Sequence, residues 1–378
     1  MAEEKIVATR GLEDVIAGDS AICFIDGKRG RLIYRGYDIG DLVFKTSYEE
    51  IVTLLWYGAL PNRRELEEWK AKLVAERELP PQVTQAIMQF PRDSSTMGAL
   101  RTAVSLLSLY DPDSHTHTEE ANIRKGIRIV AKTPTIIATF HRMREAKSPV
   151  VPRKDLSHTA NFLYMMFEKE PTPEAVEALE AYLVLLADHE FNASTFAART
   201  TAATLSDIHS SVVSAIGALK GDLHGSANRR AMEMFLEIGS VERVESYIRE
   251  KLAKKAKIMG FGHRVYKTED ARAPYLRKVA LRLSEMGQED KWFAISEKVK
   301  EVVHREKGLY VNVDFYSATL LYYLGIPVDL FTPLFAMSRI GGWIAHVLEQ
   351  YKDNRLIRPM SNYTGPMDLP FVPLDQRK

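Results

Sequence analysis

The chain has 378 residues, of which 46% are hydrophobic, and this is enough apolar material for a large core and more than one domain. The 51 Lys and Arg residues nearly balance the 50 Asp and Glu residues, so a formal net charge of +1 gives no global basic surface for nucleic acid. A single cysteine excludes an intramolecular disulfide and a cysteine-based zinc site, and no apolar run approaches the ~20 residues that a membrane span needs.

The N-terminal MAEEKIVATRG is charged and lacks an apolar stretch, so we expect no secretory signal and a cytoplasmic location. The first structural signal follows in the stretch 23–34, where two apolar segments flank the turn sequence DGKRG. Apolar segments around a glycine-containing polar turn are typical of a β-hairpin. Cys23 would be a small buried hydrophobe in its first strand.

Helix signals dominate the rest of the chain. Ser47 to Glu50 and Asn62 to Glu65 have the spacing of capping boxes, in which side chains and backbone N–H groups satisfy each other at a helix start. The first of these helices should stop at Gly58. Further helix starts are expected at Thr172-Pro173, Ser206, Ser226, Ser240 and Thr332-Pro333.

These signals predict an almost all-α protein with one small β-ribbon. The sequence contains no internal repeat and no low-complexity segment, and the stretch 147–155, with two prolines, is expected to be a loop. Because the helical pattern has no obvious linker, a second domain would be inserted into the first rather than follow it.

The ten histidines divide by their surroundings. His115 and His117 form an H-x-H pair in a polar segment before a helix capped at Thr118, but no third ligand lies nearby. A solvated loop is therefore preferred over a metal site. Four others lie in ordinary amphipathic stretches and are interpreted as structural: His141, His209, His304 and His346. His158 lies early in a helix and is ambiguous.

Three histidines have a different context. His224 lies in KGDLHGSAN, where small residues permit close backbone approach and a following helix N-terminus suits an anion and keeps an imidazole neutral. His263 lies in IMGFGHRVYK, where Gly260 and Gly262 free backbone N–H groups, and His189 lies in the polar break DHEFNAST. Each motif alone is also typical of a tight turn. Three in succession, followed by NVDFYS, favour a functional site.

The run HEFNAST, GDLHGSAN, GFGHRVYK and NVDFYS resembles the citrate synthase family in order and spacing. The resemblance extends over nearly the whole chain, from IDGKRGRLIYRGY through MGALRT and SRIGGW to RPMSNYTGP, and it is greatest to the short bacterial and archaeal forms. It implies an acyltransferase that condenses oxaloacetate with acetyl-CoA and water to give citrate and CoA, the first step of the citric acid cycle.

The resemblance also implies roles for individual residues. Asp314 corresponds to the general base that takes a methyl proton from acetyl-CoA. His224 corresponds to the hydrogen-bond donor for the thioester oxygen, and His263 to the donor for the keto oxygen of oxaloacetate. The oxaloacetate carboxylates would be bound by His189, Arg272, Arg339 and Arg358. CoA would lie along Ile258, Met259, Gly260, Phe261 and Gly262, with Lys267 near a CoA phosphate.

The fold that the resemblance implies is all-α with two domains. A large domain would comprise residues 1–224 and 324–378, and a small domain at 225–323 would close over the active site. The family also implies a homodimer with a shared site, in which Arg358 reaches the partner's site, since the proline after it favours an extended segment. The expected set includes no metal and no tightly bound cofactor, only acetyl-CoA and CoA as co-substrate and product.

Four positions depart from the family pattern. Ser226, Arg229, Ala271 and Ala318 occupy positions where Gly, Glu, Pro and Gly are usual. None of these changes removes a catalytic group. Ser226 and Arg229 lie on the helix that follows His224, so they could alter acyl-group preference or local stability.

Two alternative functions stay open at this point. 2-Methylcitrate synthase, which uses propionyl-CoA, shares every motif, and one methylene in a pocket discriminates by only ~1–3 kcal/mol. A CoA-binding sensor without catalysis is disfavoured, because Asp314, His224 and His263 are all present. A metalloenzyme built on the H-x-H pair is a distant third.

Overall fold

The structure is a computed structural model that describes residues 9–287 and 290–377. Within these residues the chain forms sixteen α-helices and one three-stranded antiparallel sheet, so the predicted all-α fold is confirmed. The helices are α1 (Ile39–Leu42), α2 (Tyr48–Tyr57), α3 (Arg63–Ala75), α4 (Pro81–Met88), α5 (Thr96–Leu107), α6 (Glu119–Arg144), α7 (His158–Phe167), α8 (Pro173–Leu186), α9 (Ala193–Ala202), α10 (Ile208–Leu219), α11 (Ala227–Ile238), α12 (Val244–Ala253), α13 (Ala273–Met286), α14 (Lys291–Lys307), α15 (Val313–Tyr323) and α16 (Phe331–Lys352). The strands are β1 (Cys23–Asp26), β2 (Arg31–Tyr34) and β3 (Tyr37–Asp38). Short 3₁₀ turns cover Arg10–Leu12, Ser108–Tyr110, Val241–Arg243, Val328–Leu330 and Leu374–Gln376.

Both predicted capping boxes are present. Ser47 caps α2 and Asn62 caps α3, and in each case the glutamate side chain three residues later returns to the backbone N–H of the capping residue. Helix α2 ends at Gly58, whose φ of 84° is the left-handed conformation that terminates many helices. The stretch 147–155 contains no helix or strand, as predicted for a loop.

Two long helices form the centre of the protein. Helices α6 and α16 are buried along most of their length and on every side, which is typical of core helices rather than of amphipathic surface helices. Helix α16 packs against α2, α6, α8, α9 and α10. Side chains of α16 can therefore reach an internal site from a rigid support.

The predicted hairpin is confirmed, with β1 and β2 paired antiparallel from Cys23 opposite Tyr34. Cys23 is buried, as expected for a small hydrophobe in a strand. A third strand, Tyr37–Asp38, was not predicted because two residues are too few to show an alternating pattern. The Tyr34 hydroxyl lies 3.1 Å from the carbonyl of Leu185 and 2.9 Å from that of Asp188, so the sheet is anchored to the end of α8.

Three predicted helix starts are wrong in detail. The N-cap of α10 is Asp207 rather than Ser206, because the Asp207 carboxylate accepts a backbone N–H of the first turn. Helix α16 begins at Phe331, after a 3₁₀ turn, rather than at Thr332. Ser240 precedes a 3₁₀ turn rather than an α-helix, and its hydroxyl makes no capping hydrogen bond.

Helices α11 to α15 pack largely against one another, and they fall within the segment 225–323 that was predicted to form the small domain. Helices α11, α13 and α15 also contact the rest of the chain, through α8 and α16. The division into two domains stays a prediction. In the described parts of the chain, no helix is both long enough and apolar enough to cross a membrane.

Candidate active site

Six of the seven side chains predicted to act on substrate come together. The set consists of His189, His224, His263, Arg272, Asp314 and Arg339. The rings of His189 and His263 are 5.2 Å apart, and the two arginines lie near enough to shift the pKa values of the other members. The seventh residue, Arg358, is exposed on the segment after α16, and within the described residues it makes no hydrogen bond or ion pair with any of the six.

Most of the site comes from connections between helices. His189 lies between α8 and α9, His224 between α10 and α11, and His263 in the long connection before α13. Asp314 is in the first turn of α15, and Arg339 is in the middle of α16. Functional side chains on loops that a rigid helical scaffold supports are a common arrangement for enzyme sites.

Two glycines allow the segment before His263 to lie against the start of α15. Gly260 and Gly262 have φ values of 82° and 75°, which favour glycine, and a Cβ at Gly260 would lie 2.8 Å from the Phe315 ring. Asn312 donates its backbone N–H to the Gly260 carbonyl and its side-chain amide to the Gly262 carbonyl, each at 2.9 Å. These bonds hold His263 and the base-bearing turn of α15 in one unit.

The turn of the β-hairpin supports the same segment from the other side. Lys267 donates its backbone N–H to the Gly27 carbonyl at 2.9 Å. A Cβ at Gly27 would lie 2.2 Å from the Val265 carbonyl oxygen, so only glycine permits this approach. The small sheet therefore positions the residues that follow His263.

The protonation site of His224 follows from its neighbour. The backbone N–H of Ser194, in the first turn of α9, donates to His224 Nε2 at 3.2 Å, and the Ser194 hydroxyl lies 2.8 Å from the same nitrogen. A backbone N–H can only donate, so Nε2 is an acceptor and Nδ1 carries the proton of the neutral ring. Trp343 holds Ser194 in turn, by donating its indole N–H to the Ser194 hydroxyl at 3.1 Å.

The same reasoning gives the opposite tautomer for His263. Its Nδ1 accepts the backbone N–H groups of Val265 at 3.0 Å and Tyr266 at 3.2 Å. His263 Nε2 is therefore the nitrogen that carries the proton. Each histidine thus uses one nitrogen to fix its own orientation and leaves the other as a donor.

The three histidines are held neutral. Burial, together with nearby Arg339, lowers the pKa of His224 to about 4. Burial and Arg272 lower the pKa of His263 to about 4, against an opposing effect of Asp270. Burial and the neighbouring arginines and histidines lower the pKa of His189 well below its ordinary value. Neutral imidazoles in such a site act as hydrogen-bond donors rather than as cations.

Asp314 is the buried carboxylate of the site. Burial raises its pKa to about 7, although Arg272 and Arg339 oppose that shift. Its Oδ1 has no hydrogen-bond partner among the described residues, while its backbone N–H is capped by the Asn312 side chain at 3.0 Å. A buried carboxylate with a free oxygen and a pKa near neutrality is suited to act as a general base.

Arg272 is tied to a carboxylate of its own segment. Its Nε donates to Asp270 Oδ1 at 2.9 Å and a terminal nitrogen donates to Asp270 Oδ2 at 2.7 Å. Burial lowers the pKa of Arg272, but Asp270 more than offsets this effect, and the net shift is upward. The pairing is bidentate and nearly free of solvent, so the guanidinium has one fixed orientation.

Arg339 is held in another way. It is 1% exposed, and its Nε donates to the Leu186 carbonyl at 2.7 Å. One terminal nitrogen has no hydrogen-bond partner, and within the described residues no carboxylate oxygen lies within 4.0 Å of the guanidinium. Burial lowers its pKa, while Asp188 opposes that shift. A buried guanidinium with unused donors is suited to bind an anion.

A cavity of about 390 Å³ lies beside the segment predicted to bind CoA. Ile258 and Met259 line it, and so do two of the four departing positions, Ser226 and Arg229. Lys267 is exposed near this segment. The other two residues that depart from the family pattern do not line this cavity: Ala271 packs against the core and Ala318 is fully buried.

The remaining histidines carry no comparable chemistry. His115 and His117 are exposed, and the described residues contain no group of three or more His, Cys, Asp or Glu side chains that could hold a metal ion. His158, which the sequence left ambiguous, is buried with its ring 5.4 Å from that of Tyr48, and burial lowers its pKa to about 3. It belongs to the core of the large helical part.

Sequence reasoning missed the residues that orient the site. The motifs include Asn312 and Ser194 without giving either a role, and they do not include Asp270, although each of the three bonds directly to a predicted site residue or its segment. His346 was interpreted as an ordinary structural histidine, yet it lies 3.3 Å from the carboxylate of Asp188, the residue before His189. The available signals were two carboxylates close to site residues in the sequence, Asp188 directly before His189 and Asp270 two positions before Arg272.

Comparisons of the sequence agree on one family. The family model described as "Citrate synthase, C-terminal domain" matches residues 11–360. The chain is 51% identical to citrate synthase 2 of Bacillus subtilis, over 98% of this chain and 100% of that protein. It is 46% identical to the citrate synthase of Haloferax volcanii, over 97% of this chain and 98% of that protein.

Solved structures agree as well. The crystal structure of citrate synthase from Thermotoga maritima matches with a TM-score of 0.89 and 43% identity, over 98% of this chain and 100% of that one. A ternary complex of carboxymethyl coenzyme A and oxaloacetate with the citrate synthase of Thermoplasma acidophilum matches with a TM-score of 0.94 and 33% identity, over the same shares of the two chains.

The helical fold and these relatives define an enzyme of the acyltransferase class that forms carbon–carbon bonds. The chain belongs to the citrate synthase family, as its motifs predicted.

Proposed function

We propose that the six clustered side chains carry out the citrate synthase reaction, in which oxaloacetate and acetyl-CoA condense and water releases citrate and CoA. One observation carries the proposal. A carboxylate whose pKa is about 7 and three neutral histidines lie near the same two buried arginines, and two of these histidines have a free N–H whose identity the backbone fixes. This combination is what removal of a weakly acidic proton requires.

In the first step Asp314 removes a proton from the methyl group of acetyl-CoA. The thioester methyl is a very weak acid, so the proton leaves only if the charge that develops on the thioester oxygen is stabilised at the same moment. The Nδ1–H of His224 would donate to that oxygen. Because the pKa of His224 is about 4, the ring is a neutral imidazole near neutral pH, and it stabilises the oxygen by a hydrogen bond rather than as a cation.

In the second step the enol or enolate carbon attacks the keto carbon of oxaloacetate. Negative charge then moves to the keto oxygen, where the Nε2–H of His263 would donate a hydrogen bond. The new carbon–carbon bond gives citryl-CoA. Hydrolysis of this thioester releases citrate and CoA, so water must stay out until condensation is complete.

Oxaloacetate would be held by its two carboxylates. Arg339 has unused guanidinium donors, and Arg272 retains donors that Asp270 does not occupy. His189, whose Nε2 has no partner among the described residues, would complete the set on this chain. The Thermoplasma acidophilum relative was solved in a complex with oxaloacetate and a coenzyme A derivative, which supports the same pair of ligands here.

Acyl-CoA would lie along residues 258–262, with its phosphates near Lys267, and it would act as a substrate rather than as a bound cofactor. The cavity beside Ile258 and Met259 gives room for part of the CoA chain next to the start of α11. We propose that helices α11 to α15 move as a small domain, residues 225–323, that closes over oxaloacetate and excludes water.

We further propose a cytoplasmic homodimer with shared sites. The single cysteine, buried and unpaired, suits a reducing compartment. Arg358 is exposed on the segment after α16 and, among the described residues, makes no hydrogen bond or ion pair with another site residue, which fits a side chain that completes the partner's site. The family resemblance and Pro359, which favours extended backbone before it, support this arrangement.

A substrate assay tests the reaction. Thiol release should require both oxaloacetate and an acyl-CoA, should be faster with acetyl-CoA than with propionyl-CoA, and should survive dialysis against a chelator. Faster thiol release with propionyl-CoA would show instead that the enzyme is a 2-methylcitrate synthase. Thiol release that did not depend on oxaloacetate would contradict the proposed reaction altogether.

A subunit-mixing experiment tests the shared site. Asp314→Asn and Arg358→Leu proteins, each nearly inactive, are co-expressed with different tags and the heterodimer is purified. If Arg358 acts in the partner's site, one site has both lesions and the other has neither, so about half the wild-type turnover should return, since independent sites behave additively. A folded but inactive heterodimer would refute the shared site.

A further inference from the structure

The unpaired state of Arg339 requires a physical explanation. A guanidinium that is 1% exposed has lost its hydration, and an uncompensated buried charge is strongly destabilising. Direct pairing with a carboxylate would compensate the charge, as Asp270 does for Arg272, but it would also occupy the donors that an anionic substrate needs. Some nearby negative charge must act without touching the guanidinium.

Asp188 is the carboxylate in that position. It is fully buried, and of the charges that support the cationic form of Arg339 it has the largest effect, although no oxygen of it lies within 4.0 Å of the guanidinium. Burial raises the pKa of Asp188, but His346 and Arg339 more than offset this effect, so the carboxyl stays ionised. It therefore supplies a negative charge at a distance.

A chain of hydrogen bonds keeps the Asp188 carboxylate in place. Asp188 Oδ2 accepts the backbone N–H of Glu190 at 3.1 Å and lies 3.3 Å from His346 Nε2. The other ring nitrogen of His346 lies 3.2 Å from a terminal nitrogen of Arg199, which also donates to Glu349 at 2.6 Å. Arginine has no acceptor, so His346 Nδ1 accepts and Nε2 carries the proton that points at Asp188.

The backbone of α16 is shaped to allow this contact. A Cβ at Gly342 would lie 2.3 Å from the Ala187 carbonyl oxygen and 2.5 Å from Asp188 Oδ1. Only glycine lets α16 approach the end of α8 so closely. The same helix carries Arg339 and His346, so one rigid element sets the distance between the cation and its remote counter-charge.

We propose that Asp188 is a positioning residue that balances the charge of Arg339 from beyond hydrogen-bonding distance, and that His346 holds it there. Arg339 thereby stays cationic, buried and available to a substrate carboxylate. The inference rests on the proposed function, because it takes oxaloacetate as the anion that Arg339 binds. Asp188 and His346 thus act on substrate binding through Arg339, without touching substrate themselves.

Two substitutions should change oxaloacetate binding in opposite directions. In Asp188→Asn the free protein loses the counter-charge, so its Tm falls, and oxaloacetate then supplies the missing negative charge. The rise in Tm that a fixed oxaloacetate concentration produces should therefore be larger than in the wild type. In His346→Leu the carboxylate loses its side-chain donor, keeps only the backbone N–H of Glu190, and turns to pair directly with Arg339. The oxaloacetate-induced rise should shrink, and the KM for oxaloacetate should increase about tenfold or more, with the KM for acetyl-CoA unchanged.

Two control variants separate this role from general damage to the core. His346→Gln retains an N–H near the position of Nε2 and should keep the wild-type response to oxaloacetate. Asp111→Asn removes another buried carboxylate, one that pairs directly with Arg128 at 2.6 Å, outside the site. It should lower the Tm but leave the oxaloacetate-induced rise unchanged.

Each outcome is decisive. A smaller oxaloacetate-induced rise in Asp188→Asn would overturn the proposal, because a residue that merely anchors a loop weakens binding when it is changed. If that variant does not fold, an unaltered KM for oxaloacetate in His346→Leu would overturn it instead. Arg339→Leu tests the proposed function separately from the role of Asp188. If oxaloacetate still raises the Tm of this variant as in the wild type, Arg339 does not bind oxaloacetate and the proposed function is wrong at this residue. If the rise is lost, Arg339 binds oxaloacetate, and the Asp188 variants then test whether Asp188 is its counter-charge.

Discussion

Arg272 and Arg339 are both almost fully buried beside the same carboxylate base, but the surrounding protein holds them differently. Arg272 is bidentate to Asp270, two residues away, and Asp270 also accepts the backbone N–H of Val313. Arg339 donates to a backbone carbonyl and keeps a terminal nitrogen free. Arg272 is therefore part of the structure that positions the base, whereas Arg339 is reserved for the ligand.

The comparison shows that a buried charge has two separable costs. Direct pairing satisfies both the charge and the hydrogen-bond donors, and breaking such a pair leaves a buried ion without a partner. A remote counter-charge satisfies the charge alone and leaves the donors to be satisfied by substrate. The same residue type can thus contribute mainly to stability on one side of the site and mainly to binding on the other.

The largest expected effect comes from the base that lies between the two arginines. Asp314→Asn should lower kcat by at least ~10²–10⁴-fold, because the proton transfer loses its acceptor. The dissociation constant for oxaloacetate should change little, since Asp314 is proposed to act on acetyl-CoA. Steady-state kinetics and calorimetry measure the two quantities, and an unchanged kcat would mean that another group is the base.

Arg339→Leu should be a binding variant. Loss of the free guanidinium leaves a substrate carboxylate without its charged partner, so the KM for oxaloacetate should rise by about 10²–10³-fold. Because Arg339 makes no direct ion pair, the Tm of the free protein should fall less than in Arg272→Leu. A large loss of stability without a change in the KM for oxaloacetate would reverse the comparison.

Arg272→Leu should be a stability variant as well as a binding variant. It leaves Asp270, which is 1% exposed, as a buried carboxylate without its partner, and such a change costs about 3–5 kcal/mol. Denaturant titration of the free protein measures this loss. Arg272→Leu with Asp270→Asn should recover part of the stability but not the oxaloacetate affinity, and failure of that recovery would argue against the pair as the cause.

The mildest test changes only the pH. Asp314 must be deprotonated to accept a proton, and burial raises its pKa to about 7, so kcat/KM should rise as the pH increases through about 7 and then level off. His224 and His263 should add no change near neutrality, because both have pKa values of about 4 and stay neutral throughout. A kcat/KM that is flat from acidic to neutral pH would contradict the assignment of the base.

Local signals in the sequence were reliable because their physical causes are local. The capping boxes at Ser47 and Asn62 and the turn of the β-hairpin each involve residues a few positions apart, and all three were predicted correctly. The helix start at Asp207 was predicted one residue too early because Ser206 and Asp207 can both cap a helix, and the local sequence does not distinguish between them.

The orienting residues of the site could not be predicted in the same way. His346 looked like any histidine on an amphipathic helix, because its partner Asp188 is far away in the sequence. The tautomers of His224 and His263 depend on backbone N–H groups, which have no sequence signature. Family motifs identified which side chains matter, but the reason that each is neutral, paired or free lies in contacts that form only on folding.

The contact between the hairpin turn and the segment after His263 has a consequence for how the enzyme matures. Gly27 and Lys267 are 240 positions apart in the sequence (267 − 27), and their hydrogen bond closes a very long loop. Contacts of this kind form late in folding, whereas helices form early and locally. During refolding the chain should therefore recover most of its helical circular dichroism before it recovers turnover, and the delay between the two signals measures how late the hairpin turn docks against the segment after His263.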